Sequence, residues 1–178
     1  MELPRSIQIL SGDARSLLAL ARRDKRAAQN ALAGMTLEVQ VALVCDGPAD
    51  RRARLLELLP EPEAVIPLLP EAEFVFTVKA VGLDDSSWLL EYATPRQLAT
   101  CFDLDAWNGL EADRGKLDHW FSVLAEANEE TLVRAAHAID PEMLTLYLRD
   151  RVDVMLDPKD EEWQPPPGAQ TLEGQFYF

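Results

Sequence analysis

The chain has 178 residues, 48% of them hydrophobic and 27% charged, with a formal net charge of -14. That length suits one ordinary domain with a buried core plus a tail, and no apolar run reaches the roughly 18 to 20 residues that cross a bilayer. The acidity repels phosphate backbones and argues against a nucleic-acid binder. Residues 1–30 differ, with six Lys and Arg against three acids, and RRDKR within them reads as the solvated face of a helix.

Helix signals then recur at short intervals. Ser11 and Asp13 are placed to cap a helix running to about Leu32, which Gly34 stops, and Thr36 precedes LEVQVALVC, ended by Gly47 and Pro48. PADRRARLLELL breaks at Pro60, and EPEAVIPLL is a proline-punctuated turn of helix ending at Pro70. The tetrapeptide LLPE occurs at Leu58 and again at Leu68, a spacing too short for a helical hairpin, so it marks compact joints. FVFTVKAV alternates and is β-prone, yet its helical flanks favour helix. Asp84 or Asp85 is expected to cap SSWLLEYA, and Thr94, Pro95 and Gln97 spell a capping box.

Leu117, Trp120, Phe121 and Leu124 fall at i, i+3, i+4 and i+7, one buried face. Asn128 caps EETLVRAAHAI, and Asp140 with Pro141 opens MLTLYLRDRV, where Leu144, Tyr147 and Leu148 form the next expected stripe. After Val152, DPKDEEWQPPPGAQ reads as an extended linker, and TLEGQFYF as a strand without a partner. The expected organisation is an N-terminal helix over 1–34, a helical domain over 35–152 and a linker with a strand-like end over 153–178. Eight or nine short helices with brief turns favour an all-α, right-handed superhelix of antiparallel helices, an α-solenoid with an extended C-terminal tail.

The succession ALVCDGPADRRARLLELLPEPEAVIPLLPEAEFVFTVKAVGLDD, with AIDPEML later, resembles the cytosolic N-terminal domain of MgtE magnesium transporters. It is similar in style to the armadillo-like helices of the flagellar switch protein FliG. A nearer likeness is to a bacterial family of longer proteins with a Val-Gly-Leu-Asp turn, a Thr-Pro-x-Gln-Leu cap and an Asp-Leu-Asp-x-Trp segment. Val81 to Asp84, Thr94 to Leu98 and Asp103 to Trp107 match that order. The resemblance covers roughly Met35 to Val152, implies fold more than function, and carries over no individual metal ligand.

The inventory for chemistry is thin. Asp103 and Asp105 fail an EF-hand pattern, because Asn108 stands at position 6 and Arg114 at position 12, so they read as turn and cap residues. Only His119 and His137 exist, each off its helix's apolar stripe. Ser86 and Ser87 lack a nucleophile elbow, and no glycine-rich phosphate loop is present. No catalytic residue is assigned. Cys45 and Cys101 read as small apolar groups in a reducing compartment, and with no signal peptide in Met1 to Asp13 the expected location is cytoplasmic.

Trp88, Trp107 and Trp120 are expected as core anchors. Trp163, Phe176, Tyr177 and Phe178 are the candidate partner contacts, because an apolar terminus is costly to leave in water. The expected function is a non-catalytic interaction or scaffold domain. Its partner is another protein, further chain of its own, or a second copy held through the tail. The alternative is magnesium sensing through Glu61, Glu63, Glu71 and Glu73, which repel one another until a cation screens them.

Overall fold

A computed structural model describes residues 10–149, 151–159, 163–171 and 173–178. The chain divides into two compact units, Met1–Ile139 and Asp140–Phe178. The described residues are mostly helical, with two short antiparallel ladders.

The first unit begins with α1 (Leu10–Arg23) and α2 (Lys25–Ala33). A single helix to Leu32 was expected, but Asp24 divides it, because its extended backbone and its carboxylate, accepting from the Ala27 N–H at 3.0 Å, start a new helix there. Ser11 and Asp13 are already helical in their backbone, and their side chains lie outside the described residues. The chain continues through α3 (Leu37–Asp46), a 3-10 turn (Ala49–Arg51), α4 (Arg52–Leu56), α5 (Pro62–Val65) and a second 3-10 turn (Ile66–Leu68). Thr36 stands at the N-cap position of α3 without a side-chain cap hydrogen bond. Gly47 ends α3 where a Cβ would lie 2.5 Å from Leu55 Cδ1, so a larger residue there would have to displace the Leu55 side chain.

Next come α6 (Glu71–Val81), a 3-10 turn (Leu83–Asp85), α7 (Ser87–Glu91) and α8 (Pro95–Asp105). The β-prone FVFTVKAV is helical, as its flanks require. Gly82 ends α6 with φ at 98°, a conformation that favours glycine. Asp84 and Asp85 do not cap α7; they form the 3-10 turn, and Ser86 takes the N-cap position, with its hydroxyl donating to the Leu83 carbonyl at 2.7 Å. The Thr94 capping box of α8 is present, with Thr94 Oγ1 accepting from the Gln97 N–H and Gln97 Oε1 accepting from the Thr94 N–H.

A two-residue hairpin, β1 (Trp107–Asn108) with β2 (Glu111–Ala112), separates α8 from α9 (Arg114–Ala127). α10 (Glu129–Ala138) follows, capped by Asn128 as its sequence predicts. α6 and α8 run in the same direction. Gln97 at the start of α8 donates to the Ile66 and Leu69 carbonyls just ahead of α6, and Asp105 at the end of α8 meets Lys79 near the end of α6. Between α8 and α9 the rings of Phe102 and Trp120 stand 5.7 Å apart and those of Phe102 and Phe121 5.3 Å apart. Leu117, Trp120 and Leu124 are buried as expected, whereas Phe121 is half-buried.

Two other tryptophans depart from the core role expected of them. Trp88 is half-buried, and Trp107 sits exposed on the hairpin, where the short strands turn it off the helical core. Cys101 is buried and Cys45 half-buried, both as free thiols. Burial pushes the Cys101 thiol up to about 12.

The second unit opens with α11 (Pro141–Leu148), capped by Asp140. The stripe expected from Leu144, Tyr147 and Leu148 is not the buried face. Met143 is the buried residue, Leu144 and Tyr147 are half-buried and Leu148 is exposed. Arg151 accounts for part of this difference, because its guanidinium lies 4.1 Å over the Tyr147 ring and donates to the Tyr147 carbonyl, holding that ring at the surface. The strand expected to lack a partner has one. β4 (Phe176–Tyr177) pairs antiparallel with β3 (Met155–Leu156); the chain bends at Gly168, with φ at 92°, and reverses into β4 at Gly174, with φ at 70° and its N–H donating to Thr171 Oγ1 at 2.8 Å.

Two substitutions test the packing of the first unit. Trp120→Ala should cost about 3 to 5 kcal/mol in chemical denaturation, since its ring is 1% exposed. Gln97→Leu keeps the side chain's bulk but removes both carbonyl contacts and half of the capping box. It should cost roughly 2 to 4 kcal/mol in the same measurement.

Candidate functional site

The alternation of side chains along a strand sorts the C-terminal ladder into two faces. Met155 opposes Tyr177 and Leu156 opposes Phe176, and continuing that register sets Val154 opposite Phe178. Tyr177 therefore points to one face, where the half-buried Trp163 packs edge-on against its ring at 5.1 Å. Phe176 and Phe178 point to the other, together with Val154 and Leu156.

That second face is uncovered. Val154 is 66% exposed, Leu156 58%, Phe176 49% and Phe178 45%. Backbone pairing holds it in place: Asp157 N–H donates to the Gln175 carbonyl at 2.8 Å, and Phe178 exchanges two hydrogen bonds with Gln170 on the far edge of β4. The ladder is thus a small ordered platform with four apolar side chains turned to solvent.

Of the expected contact residues, the structure brings Trp163 and Tyr177 together as an internal pair, and puts Phe176 and Phe178 on the open face. Val154 and Leu156 were missed. The signal was present in Val152-Asp-Val154-Met-Leu156, an alternation of period two hidden by the acidic residues after it. The surroundings are acidic, for Asp140–Phe178 contains nine acids and three bases.

The first unit holds the polar clusters. Asp103 and Asp105 are not turn or cap residues but lie in the last turn of α8, where Asp105 accepts from Lys79 Nζ at 2.5 Å and from Trp120 Nε1 at 3.1 Å. Burial raises its pKa, but the hydrogen bonds from Lys79 and Trp120 outweigh this and hold the carboxyl below its ordinary value. His119 on α9 pairs with Asp84 at 2.5 Å on an exposed surface. Both clusters tie helices together.

Glu61 and Glu63 are exposed at α5, Glu71 is exposed in the first turn of α6, and Glu73 is half-buried. Glu73 Oε2 lies 2.6 Å from Arg52 Nη1, an ion contact without the alignment of a hydrogen bond. That carboxylate already has a cation. Among the described residues no group of three or more His, Cys, Asp or Glu is arranged to hold a metal ion. Among them, too, no helix is long and apolar enough to cross a membrane.

Residues 29–178 match DUF6178, a family of unknown function. The chain belongs to this family. No curated protein and no solved structure matches it. The family match spans both units, so the open ladder face lies within the family's own extent.

The Asp105 network predicts a pH dependence of known sign. Because the folded pKa is depressed, its stabilisation is present above the unfolded value near 3.8 and is lost as pH falls through the lower folded value. Asp105→Asn should therefore lower the melting temperature at neutral pH, and the gap from the parent should close as the pH drops below 3.8. A gap that widens in acid contradicts this assignment.

Proposed function

We propose that this protein is a non-catalytic interaction module of the bacterial cytoplasm, whose C-terminal unit docks a protein partner on the face formed by Val154, Leu156, Phe176 and Phe178. The observation that carries this reading is the exposure of all four side chains on one face of a ladder whose backbone is hydrogen-bonded on both edges of β4. Ordered apolar surface of this kind is costly in water and is used where a partner covers it.

The partner is a protein presenting an apolar patch flanked by Lys or Arg. An excess of acids in Asp140–Phe178 steers such a surface inward and disfavours a second copy of the same acidic chain. The helices of Met1–Ile139 serve as the scaffold, wound as a right-handed superhelix like that of the MgtE N-terminal domain, which the sequence resembles. Support for that winding comes from α6 and α8 running in one direction with α7 between them, the arrangement that stacked helical repeats use.

A photo-reactive amino acid placed at Phe176, and in a control at Gln175 on the opposite face, tests the reading in cells. Cross-linking from position 176 alone to a protein whose captured peptide carries Lys or Arg beside apolar residues is the expected result. An adduct of twice the chain's own mass would identify a second copy and overturn the partner's chemistry. No adduct from 176, or equal yields from both positions, would remove the docking face itself.

A further inference from the structure

The first unit carries a groove of about 580 Å³ between α1 and the segment from Pro48 to Glu57. Its charge runs against that of the chain. Arg15 and Arg22 stand on α1, seven residues and therefore about 10 Å apart along the axis. Leu18 and Ala19 lie between them on the same helical face. Arg51, Ala53 and Arg54 line the opposite wall.

The four arginines are not equivalent. Arg51 pairs with Asp50 at 3.1 Å and Arg54 with Glu57 at 2.7 Å, so the far wall is internally neutralised. Arg15 and Arg22 have no ion pair among the described residues, although the chain carries fourteen more acids than bases. Two guanidinium groups with no ion pair among the described residues, on one helical face and separated by an apolar strip, form a pattern with a definite complement. The complement is a helix with carboxylates two turns apart and apolar side chains between them.

We infer that this groove binds an acidic amphipathic helical segment of a partner protein, with Arg15 and Arg22 each holding one carboxylate and Leu18 and Ala19 receiving the intervening apolar side chains. Guanidinium favours this role because it presents a planar fork that matches a carboxylate. The helix-in-groove mode supplies the remaining contact through apolar burial. A nucleic acid fits less well, because two arginines beside a strongly negative surface cannot follow a run of phosphates. This inference is independent of the C-terminal ladder face.

The test is a methyl nuclear magnetic resonance titration of the intact chain with a blocked model helix. The peptide carries two glutamates two turns apart around a pair of leucines. Shifts should concentrate on the Leu18, Ala19 and Ala53 methyls. Arg15→Glu with Arg22→Glu should weaken binding by roughly tenfold or more, the loss expected when two charge-assisted pairs become repulsive. Arg23→Glu with Arg26→Glu, on the same basic stretch but outside the groove, should leave it within about twofold. Unchanged helicity and melting temperature in both double variants separate binding from folding.

Three results overturn the inference. A peptide with glutamine in place of glutamate that binds equally well would show that charge plays no part. Equal loss in the two double variants would reduce the effect to net charge. Inorganic phosphate that shifts the same methyls at lower concentration and displaces the peptide would make this a small-anion site.

Discussion

Short helices leave a large share of their backbone groups unpaired, because each end exposes carbonyls or amides with no partner inside the helix. In this chain, long side chains from elsewhere in the unit meet those carbonyls. Gln40 Nε2 donates to Leu32 and Met35 at the end of α2. Arg52 donates to Cys45 and Gly47 at the end of α3. Gln97 closes the turn after α5 through Ile66 and Leu69, and Arg134 closes α7 through Leu90 and Glu91. The joints of the first unit depend on these four clamps.

Three of the clamps also explain polar residues that would otherwise be out of place in a core. Gln40, Arg52 and Gln97 are all buried, and an amide or guanidinium is costly to bury unless its donors are used. Arg52 is the most heavily committed, since it also donates to the Glu73 carbonyl on α6 and pairs with the Glu73 carboxylate. Removing it would strand an acid and take a donor from three carbonyls, a larger penalty than the loss of any one hydrogen bond. The same demand accounts for the arrangement of α6 and α8. The clamp at one end, Gln97, and the Asp105 bridge at the other fix both the spacing and the direction of the two helices.

What could be read in the sequence follows from the range of each interaction. The caps at Thr94, Asn128 and Asp140 act over two or three residues, so spacing alone reveals them. Gln97 reaches carbonyls 28 and 31 residues back, and Arg134 those 43 and 44 back, distances at which no local pattern exists. The same limit hid the pairing of Met155 with Tyr177, two strands too short to announce themselves and separated by a proline-rich run that read as a linker. Asp84 and Asp85 illustrate the reverse error. Their composition suits a cap, but the 3-10 turn they occupy moved the helix start to Ser86.

The size of the ladder face bears on the kind of complex it would form. A stable interface buries about 800 Å² on each partner and engages some 20 to 30 residues of each side. Four side chains, two of them already about half covered, supply only the apolar centre of such a surface. The rest would have to come from polar contacts around it, where Asp153 and Glu173 are exposed. A centre of this size surrounded by like charges favours rapid, salt-sensitive encounter over permanent association, because charge at the rim acts mainly on the association rate while the buried anchors set dissociation. With two phenylalanines as its largest members, dissociation from this face would be governed by Phe176 and Phe178, and the acidic residues around them would decide how often a partner arrives.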